Sequence, residues 1–352
     1  MAFLTNKTLL FFIRSIENMD SQNKIKVGLV GYGFIAKTHA PNILKNPKAQ
    51  LHSIYSVPQD REKIPDGVKF FDDWKSLMDQ PEIDAIVIAT PTFTHKEIAI
   101  YAAAKKKHIF LEKPMARSVE DCQAIIDACT ESNVKLFIGH VLRFWPSYVQ
   151  ALNMMKNKHQ FGTLKYSRFR RISGKPGWAS WFFDQALSGG VMLDLAIHDL
   201  DFTIYSFGEL PEKVFCEAQK IEVEGKSVYG LAFITLSFPS GKIGFCEASW
   251  LGTNKFPFTT ETELIGTNGI IQFNVGDMIP IHAYTNSDAS VEDPMEQEGY
   301  YAEMDSFFDC IIHNTKPAVD GLAGKTAVAL SIAAEISADR NEPVLLKELL
   351  KK

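Results

Sequence analysis

Residues 25–36 read IKVGLVGYGFIA and join a short apolar run to a glycine-rich turn. The run Ile25 to Val30 is rich in branched residues and alternates little, which predicts a buried parallel strand. In the turn, Gly31 permits a tight bend, Gly33 lets a pyrophosphate approach the backbone, and Ala36 is small enough for a helix to pack on the sheet. The stretch therefore predicts a strand, turn and helix that bind a dinucleotide; a plain glycine turn is the less favoured alternative.

The sequence on either side of this stretch predicts two domains. Further strand-like runs at Leu51 to Tyr55, Ala85 to Ala89, Ile109 to Leu111 and Leu136 to Ile138 alternate with helical patterns at Glu97 to Ala104 and Val119 to Ser132. This rhythm predicts an α/β Rossmann-type, doubly wound parallel sheet over residues 24–145. Longer strand-like stretches follow, and several neighbouring ones are close enough in sequence to form β-hairpins. They predict an α+β domain with a mostly antiparallel open sheet over residues 146–345.

Composition limits the class of protein. With 352 residues the chain is longer than one hydrophobic core usually supports, so a ligand-binding cleft between two domains is expected. A formal net charge of −5 argues against nucleic acid or a membrane surface as a partner. Five scattered cysteines without a C-x-x-C pair predict reduced thiols and a cytoplasmic location.

Residues 1–23 contain an apolar run, Leu9 to Ile13, between Lys7 and Arg14. Three interpretations remain open: a disordered N-terminal extension, a targeting peptide, or an upstream start codon with Met19 as the working start. The run is shorter than the core of a signal peptide, and this favours the first and third interpretations.

The end of the second predicted strand bears on the choice of cofactor. A Rossmann domain selective for NAD usually has an acidic residue about 20 positions after the turn, where it holds the ribose hydroxyls. Ser56 occupies that place, which leaves room for a 2′-phosphate that Ser56, Gln59 and Arg61 are candidates to contact. We therefore favour NADP over NAD. Asp60 and Glu62 are either displaced ribose ligands or turn residues, and the second interpretation is preferred.

Ligands of an open α/β sheet bind outside the carboxyl ends of its strands, where two further motifs fall. Residues 90–95 read TPTFTH, and residues 112–114 read EKP, in which Pro114 would aim Lys113 across the cleft. A surface Glu–Lys pair is an equally good interpretation of the second motif. The predicted cofactor-binding residues are Gly31, Gly33, Phe34, Ile35, Ser56, Arg61, Thr90, Pro91, His95, Glu112 and Lys113.

Residues 189–199 read GGVMLDLAIHD and predict a helix in the second domain. Asp194 and His198 are four residues apart and so share one helix face. A carboxylate beside an imidazole suits proton transfer, because histidine titrates near neutral pH. The alternatives are a solvated pair and a metal site completed by Asp199 or Asp201; no metal is expected, since no third histidine or cysteine lies nearby.

These motifs resemble the glucose-fructose oxidoreductase, inositol dehydrogenase and MocA family of NAD(P)-dependent sugar and polyol enzymes. The resemblance covers nearly the whole chain from Lys24 and includes the glycine-rich turn, the stretch ending at His95, the EKP tripeptide, the helix GGVMLDLAIHDLD and the closing AEMDSF over residues 302–307. It implies that Lys113, Asp194 and His198 are catalytic, that the Lys113–Pro114 bond is cis, and that the second sheet forms a homodimer or homotetramer.

The function that follows from this resemblance is hydride transfer between a nicotinamide cofactor and a CH–OH or ketone group of a sugar, cyclitol or related polyol. His198 would take the hydroxyl proton, Lys113 would stabilise the alkoxide-like charge, and Asp194 would hold His198 or a substrate hydroxyl. The alternatives are an NAD-dependent glycosidase that recycles its cofactor and a non-catalytic dinucleotide-binding regulator.

The substrate should contact residues of the second domain in addition to Lys113, Asp194 and His198. Candidates are Arg143, Tyr148, Arg168, Arg170, Trp178 and Trp181, because sugar C–H faces stack on aromatic rings and hydroxyls bind charged donors. A core or solvated position is as good an interpretation for any one of them. Arg143 and Trp181 are preferred because they lie near the sixth strand and the Asp194 helix.

Overall fold

The computed structural model describes residues 24–253, 256–275, 281–285, 288–292 and 298–350. The predictions made for residues 1–23 lie outside the described residues. In the part of the chain that is described, no helix combines the length and apolar composition needed to cross a membrane.

The first domain is the predicted Rossmann-type sheet. Its parallel strands are β1 (Ile25–Val30), β2 (Ala49–Tyr55), β3 (Lys69–Phe71), β4 (Ala85–Ile88), β5 (His108–Glu112) and β6 (Leu136–Gly139), in the order β3-β2-β1-β4-β5-β6. The connecting helices are α1 (Ala36–Lys45), α2 (Trp74–Met78), α3 (His95–Ala104) and α4 (Val119–Glu131). The strand order reverses between β1 and β4, and that switch point is where such sheets bind ligands.

The second domain is built on a nine-stranded sheet. After α5 (Pro146–Met155) and α6 (Lys158–Phe161) come β7 (Leu164–Gly174), α7 (Gln185–Ser188), a π-helical turn (Met192–Ala196) and α8 (Ile197–Phe207). The remaining strands are β8 (Lys213–Val223), β9 (Lys226–Ser237), β10 (Ile243–Gly252), β11 (Thr259–Gly266), β12 (Gly269–Val275), β13 (Ile281–Thr285), β14 (Ala289–Glu292) and β15 (Val344–Leu345).

The strand order of this sheet is β14-β13-β12-β11-β7-β10-β9-β8-β15. Only β7 and β10 pair in parallel; the other neighbours in the described sheet are antiparallel. Strands β9 and β10 form a hairpin, with Gly241 in the left-handed region at φ +79°. Both parts of the predicted fold class are confirmed.

The C-terminal helices pack against both domains. These helices are α9 (Gly299–Ile312), α10 (Gly321–Arg340) and α11 (Leu346–Leu350). In α9, Met304, Phe307 and Phe308 are fully buried in the hydrophobic core of the Rossmann domain. In α10 the two cores meet, since Val328 packs in the first and Leu330 in the second. Residues 146–345 are therefore not one separate packing unit.

Candidate active site

A cleft of about 1600 Å³ lies between the two domains, outside the carboxyl ends of β1, β4 and β5. One wall consists of the glycine-rich turn and the loops after β2, β4 and β5. The opposite wall consists of the end of β7, the loop that follows it, and the π-helical turn with the start of α8. The cleft is large enough for a dinucleotide and a small substrate together.

The glycine-rich turn has the shape that a pyrophosphate requires. Gly31 adopts φ +96°, and a Cβ there would lie 2.6 Å from the Ala89 carbonyl oxygen, so no other residue fits without strain. Gly33 borders the cleft, and an added Cβ would meet no atom within 4 Å. A side chain at Gly33 would thus project into open space where a phosphate can approach the start of α1.

Most of the predicted cofactor residues border this cleft. They are Gly31, Gly33, Phe34, Ile35, Ser56, Thr90, Pro91, Glu112 and Lys113. The residues present therefore fit a dinucleotide bound along the carboxyl edge of the sheet, with its pyrophosphate at the glycine-rich turn.

Two of the predicted cofactor residues do not border the cleft. Arg61 is exposed and its guanidinium lies 5.0 Å from the centre of the Phe70 ring. His95 is buried, with Nδ1 2.9 Å from the Pro114 carbonyl oxygen and Nε2 2.9 Å from that of Thr90. His95 therefore connects the backbones of two loops that line the cleft, and we reassign it as a positioning residue.

Glu112 lines the cleft and is at the same time buried. Its Oε1 lies 2.5 Å from His39 Nε2 on α1, and its Oε2 accepts a hydrogen bond of 3.0 Å from the backbone N–H of Lys113. Burial alone would raise the pKa of Glu112, but the hydrogen bond and charge of His39 and the charge of Lys113 leave it below its usual value. An ionised Glu112 therefore fixes the backbone from which the Lys113 side chain projects.

Lys113 crosses the cleft and joins the two domains. Its Nζ donates to the Asp194 carbonyl oxygen at 2.9 Å and to Asp194 Oδ1 at 3.1 Å. The bond to Pro114 is cis, as the resemblance implied. Both side chains remain partly accessible from the cleft, at 17% for the lysine and 15% for the aspartate. A positive charge and a carboxylate thus face the space where a substrate would lie.

His198 follows the π-helical turn and also lines the cleft. Its Nδ1 is buried and has no hydrogen-bond partner within the described residues. Burial, together with the positive charges of Lys113 and Arg171, lowers the pKa of His198 well below its ordinary value. The imidazole is consequently neutral at neutral pH, which is the state that can accept a proton.

The predicted pairing of Asp194 with His198 is not what the structure contains. Within the described residues the Asp194 carboxylate forms its ion pair with Lys113 and none with His198. Asp194 lies in the π-helical turn, where hydrogen bonds span five residues and the turn is wider than in an α-helix. Residues four apart are therefore no longer stacked as they would be in an α-helix.

A series of aromatic contacts joins the two walls. Trp181 lines the cleft, as predicted; it stacks on Phe182 at 4.0 Å between ring centres and meets the edge of Phe93 at 5.8 Å. Trp178 stacks on Phe34 of the glycine-rich turn at 5.4 Å with an interplanar angle of 18°. The loop after β7 therefore lies directly against the predicted dinucleotide site.

Arg143 was one of the two preferred candidates for substrate contact, but it lies outside the cleft. Its Nε and Nη2 donate to Asp201 Oδ2 and Oδ1 at 2.8 and 2.6 Å, and its guanidinium covers the Tyr205 ring. The Asp201 side chain is only 1% exposed. Arg143 thus belongs to a buried bidentate ion pair, because α8 brings Asp201 to the segment that follows β6.

Replacing Arg143 by methionine is expected to lower the free energy of unfolding by about 3 kcal/mol, since it leaves a buried carboxylate without its partner. The KM for substrate should stay within about threefold of the wild-type value. Denaturant unfolding and steady-state kinetics measure the two quantities. Adding Asp201→Asn should recover part of the lost stability; a large rise in KM without loss of stability would return Arg143 to the substrate site.

Three substrate candidates remain, one in the core and two on β7, whose side chains alternate between the two faces of the sheet. Tyr148 is core, and Arg168 and Arg170 form ion pairs with Glu261 on the other face of the sheet. Phe169 and Arg171 face inward, and Arg171 borders the cleft while its Nε and Nη2 bind Asp199 at 3.0 and 2.7 Å. Arg171 was not among the residues predicted from the sequence, although its two-residue spacing from the apolar Phe169 was the available signal.

The Rossmann-type sheet and its cleft are those of an oxidoreductase that binds a nicotinamide dinucleotide. A family model described as "Oxidoreductase family, NAD-binding Rossmann fold" matches residues 25–140, and one described as "GFO/IDH/MocA C-terminal domain" matches residues 149–272. The chain therefore belongs to the GFO/IDH/MocA family, and the predicted resemblance is confirmed.

Two curated relatives and one solved structure illustrate the similarity. The chain is 28% identical to myo-inositol 2-dehydrogenase of Thermotoga maritima over 93% of this chain and 100% of that protein. It is 27% identical to scyllo-inositol 2-dehydrogenase (NAD(+)) of Bacillus subtilis, over 92% and 97%. A crystal structure of a probable dehydrogenase from Thermotoga maritima matches with a TM-score of 0.78 and 27% identity, over 92% of this chain and 99% of that one.

Proposed function

We propose that this enzyme transfers a hydride between a nicotinamide dinucleotide and a secondary alcohol or ketone carbon of a sugar, cyclitol or related polyol. The observation that carries the proposal is the contact of Lys113 Nζ with Asp194 in a cleft that also contains His198 and the glycine-rich turn. These groups come from both domains and meet beside the dinucleotide site. The names of the inositol dehydrogenase relatives support a cyclitol or a similar polyol as the substrate.

His198 is the proposed general base. Oxidation of an alcohol releases the hydroxyl proton as well as a hydride, for which a nicotinamide dinucleotide, when bound, would supply the acceptor. The neutral imidazole of His198 takes the proton, and its lowered pKa keeps it in the accepting form at neutral pH. In the direction of ketone reduction, the protonated imidazole of His198 returns the proton to the substrate oxygen.

Lys113 is the proposed electrostatic catalyst. As the hydroxyl loses its proton, negative charge develops on the substrate oxygen, and the ammonium group of Lys113, whose side chain is only 17% exposed, stabilises that charge. Asp194 holds the ammonium by one carbonyl and one carboxylate oxygen, so little reorganisation is needed during the reaction. The accessible part of the Asp194 carboxylate can also accept a hydrogen bond from a neighbouring substrate hydroxyl.

The substrate site proposed here is the part of the cleft around these three residues. Trp181 offers an aromatic face to the C–H groups of a sugar or cyclitol. Arg171 adds a buried positive charge held in place by Asp199. The proposed substrate site does not include Arg143, which is paired with Asp201 outside the cleft.

The open face of the second sheet supports the proposed homodimer or homotetramer. Phe233, Ile243 and Tyr284 lie at least one-third exposed in this sheet, and Phe233 stacks against Phe245. These apolar side chains, beside the ion pairs of Arg168 and Arg170 on the same face, are suited to contact with a second copy of the chain. The five cysteines, free and buried, support the proposed cytoplasmic location.

A panel of inositols, aldoses and their ketone counterparts, each incubated with NAD or NADP, tests the proposed reaction. We expect reduced nicotinamide to accumulate in step with substrate oxidation for at least one member of the panel. The absorbance of the reduced nicotinamide measures this accumulation. Product formation without net cofactor reduction would favour the glycosidase alternative. Dinucleotide binding with no turnover on any member would favour the regulator. Either result contradicts the proposal.

A further inference from the structure

The segment after β2 supplies a carboxylate that the strand end itself lacks. A short 3₁₀ helix, Pro58–Lys63, follows Ser56 and folds back towards it. The Ser56 hydroxyl donates to Asp60 Oδ2 at 2.8 Å, and both residues border the cleft. Asp60 is therefore not a simple turn residue, because its side chain lies over the end of β2.

This position corresponds to the ribose site of a Rossmann domain. The backbone N–H of Gly31 donates to the Tyr55 carbonyl oxygen at 3.0 Å, so the end of β2 lies directly beside the glycine-rich turn. The adenosine ribose of a dinucleotide bound at that turn lies next to the end of this strand. A carboxylate held there by Ser56 can accept hydrogen bonds from the ribose hydroxyls.

The charges around Asp60 favour its ionised form. Hydrogen bonds from Lys63 and Ser56 are the main reason that the pKa of Asp60 lies below its usual value. Lys63 Nζ lies 2.8 Å from Asp60 Oδ1, so its charge is already paired with this carboxylate. Arg61, which the sequence predicted as a contact of a 2′-phosphate, lies against the Phe70 ring instead.

We propose that Asp60 makes this enzyme selective for NAD(H) over NADP(H), which reverses the preference inferred from Ser56. The inference rests on the proposed function, since it requires a dinucleotide at the glycine-rich turn. A 2′-hydroxyl can donate to the Asp60 carboxylate. A 2′-phosphate would bring a second negative charge against it and would have to compete for Lys63.

Fluorescence titration with NADH and with NADPH tests the proposal by binding alone. The wild-type protein should bind NADH at least about tenfold more tightly than NADPH, because like charges placed together disfavour a complex strongly. Asp60→Asn should narrow this ratio by about tenfold, mainly through tighter NADPH binding, since Lys63 is then free to face a phosphate. Glu62→Gln is the matched control, as Glu62 lies in the same 3₁₀ helix, is exposed and does not border the cleft; its ratio should equal that of wild type.

The outcomes separate this inference from the proposed function. If wild type binds NADPH as tightly as NADH, or if Asp60→Asn leaves the ratio unchanged, the role of Asp60 is overturned while the dinucleotide site stands. The same holds if Glu62→Gln changes the ratio as much as Asp60→Asn. If neither nucleotide binds, the proposed function fails and this inference fails with it.

Discussion

The Lys113→Met protein is expected to lose about 10³-fold in kcat, because an ammonium group aimed at developing charge contributes about that much when water is largely excluded. Methionine fills a similar space without the charge, so the cleft keeps its shape. The Kd for NADH, measured by fluorescence titration, should rise by no more than about threefold, because the glycine-rich turn and the end of β2 are untouched although Lys113 itself borders the predicted cofactor site. Circular dichroism would verify that the variant is folded.

Lys96→Met is a suitable control for this variant. Lys96 also forms an ion pair with an aspartate, at 2.5 Å from Asp121, but it lies on an exposed face of α3 away from the cleft. Its kcat should match that of wild type, since a surface ion pair contributes little. Normal turnover by a folded, NADH-binding Lys113→Met protein would show that the catalytic assignment of Lys113 is wrong.

Replacing His198 by glutamine is expected to lower kcat by about 10³-fold, within the range that a positioned general base contributes. Glutamine retains a polar side chain of similar reach but cannot take up the hydroxyl proton. Steady-state kinetics measure the loss, and NADH binding by fluorescence should persist. A kcat within about threefold of wild type would exclude His198 as the base.

The pH dependence gives an independent measure of the role of His198. Burial is the largest cause of its lowered pKa, so it stays neutral at pH values where an ordinary histidine is already protonated. The acid limb of kcat/KM for the wild-type enzyme should therefore lie well below pH 6.5, the ordinary histidine value being about 6.5. The His198→Gln protein should lack this limb. An acid limb near pH 6.5 or above would contradict the buried, neutral state.

The free energy of unfolding should decrease as the pH falls, for the same reason that His198 stays neutral. Burial also lowers the pKa of His95 and of His140, so these two and His198 bind protons less readily in the folded protein than in the unfolded chain. As the pH falls below the unfolded value of about 6.5, the unfolded chain takes up protons first, and the free energy of unfolding decreases. Activity assays at low pH therefore need a parallel measurement of the folded fraction.

Local patterns predicted the fold well because they report short-range physics. The branched run at β1 and the glycines that follow it restrict the backbone within a few residues, and the structure has that strand with the predicted bounds. The packing of the C-terminal helices could not be predicted in the same way. The apolar face of α9 carries no information on which of two cores it joins, and Phe307 and Phe308 pack against the first one.

The errors among the site residues share one cause, which is that a side chain's partner cannot be inferred from its own neighbourhood. Arg143 and Arg61 are both cations near the expected cleft, yet one is paired with Asp201 and the other lies over Phe70. Arg171 is a different case, because the alternation of β7 by itself separates its inner-face position from the outer-face position of Arg170.

The amino-acid sequence was sufficient for the strand, turn and helix at residues 25–36 and for the fold class of both domains, whereas the catalytic candidates came from the family resemblance and stay a prediction. These features depend on backbone propensity, periodicity and motif spacing, which act over short stretches of chain. Packing of the complete chain was needed to bring Lys113 to Asp194, 81 residues away, and to fold Asp60 back onto Ser56. Both contacts depend on how distant or turning segments fit together, and so the charges at the proposed catalytic site and at the proposed ribose site became apparent only in three dimensions.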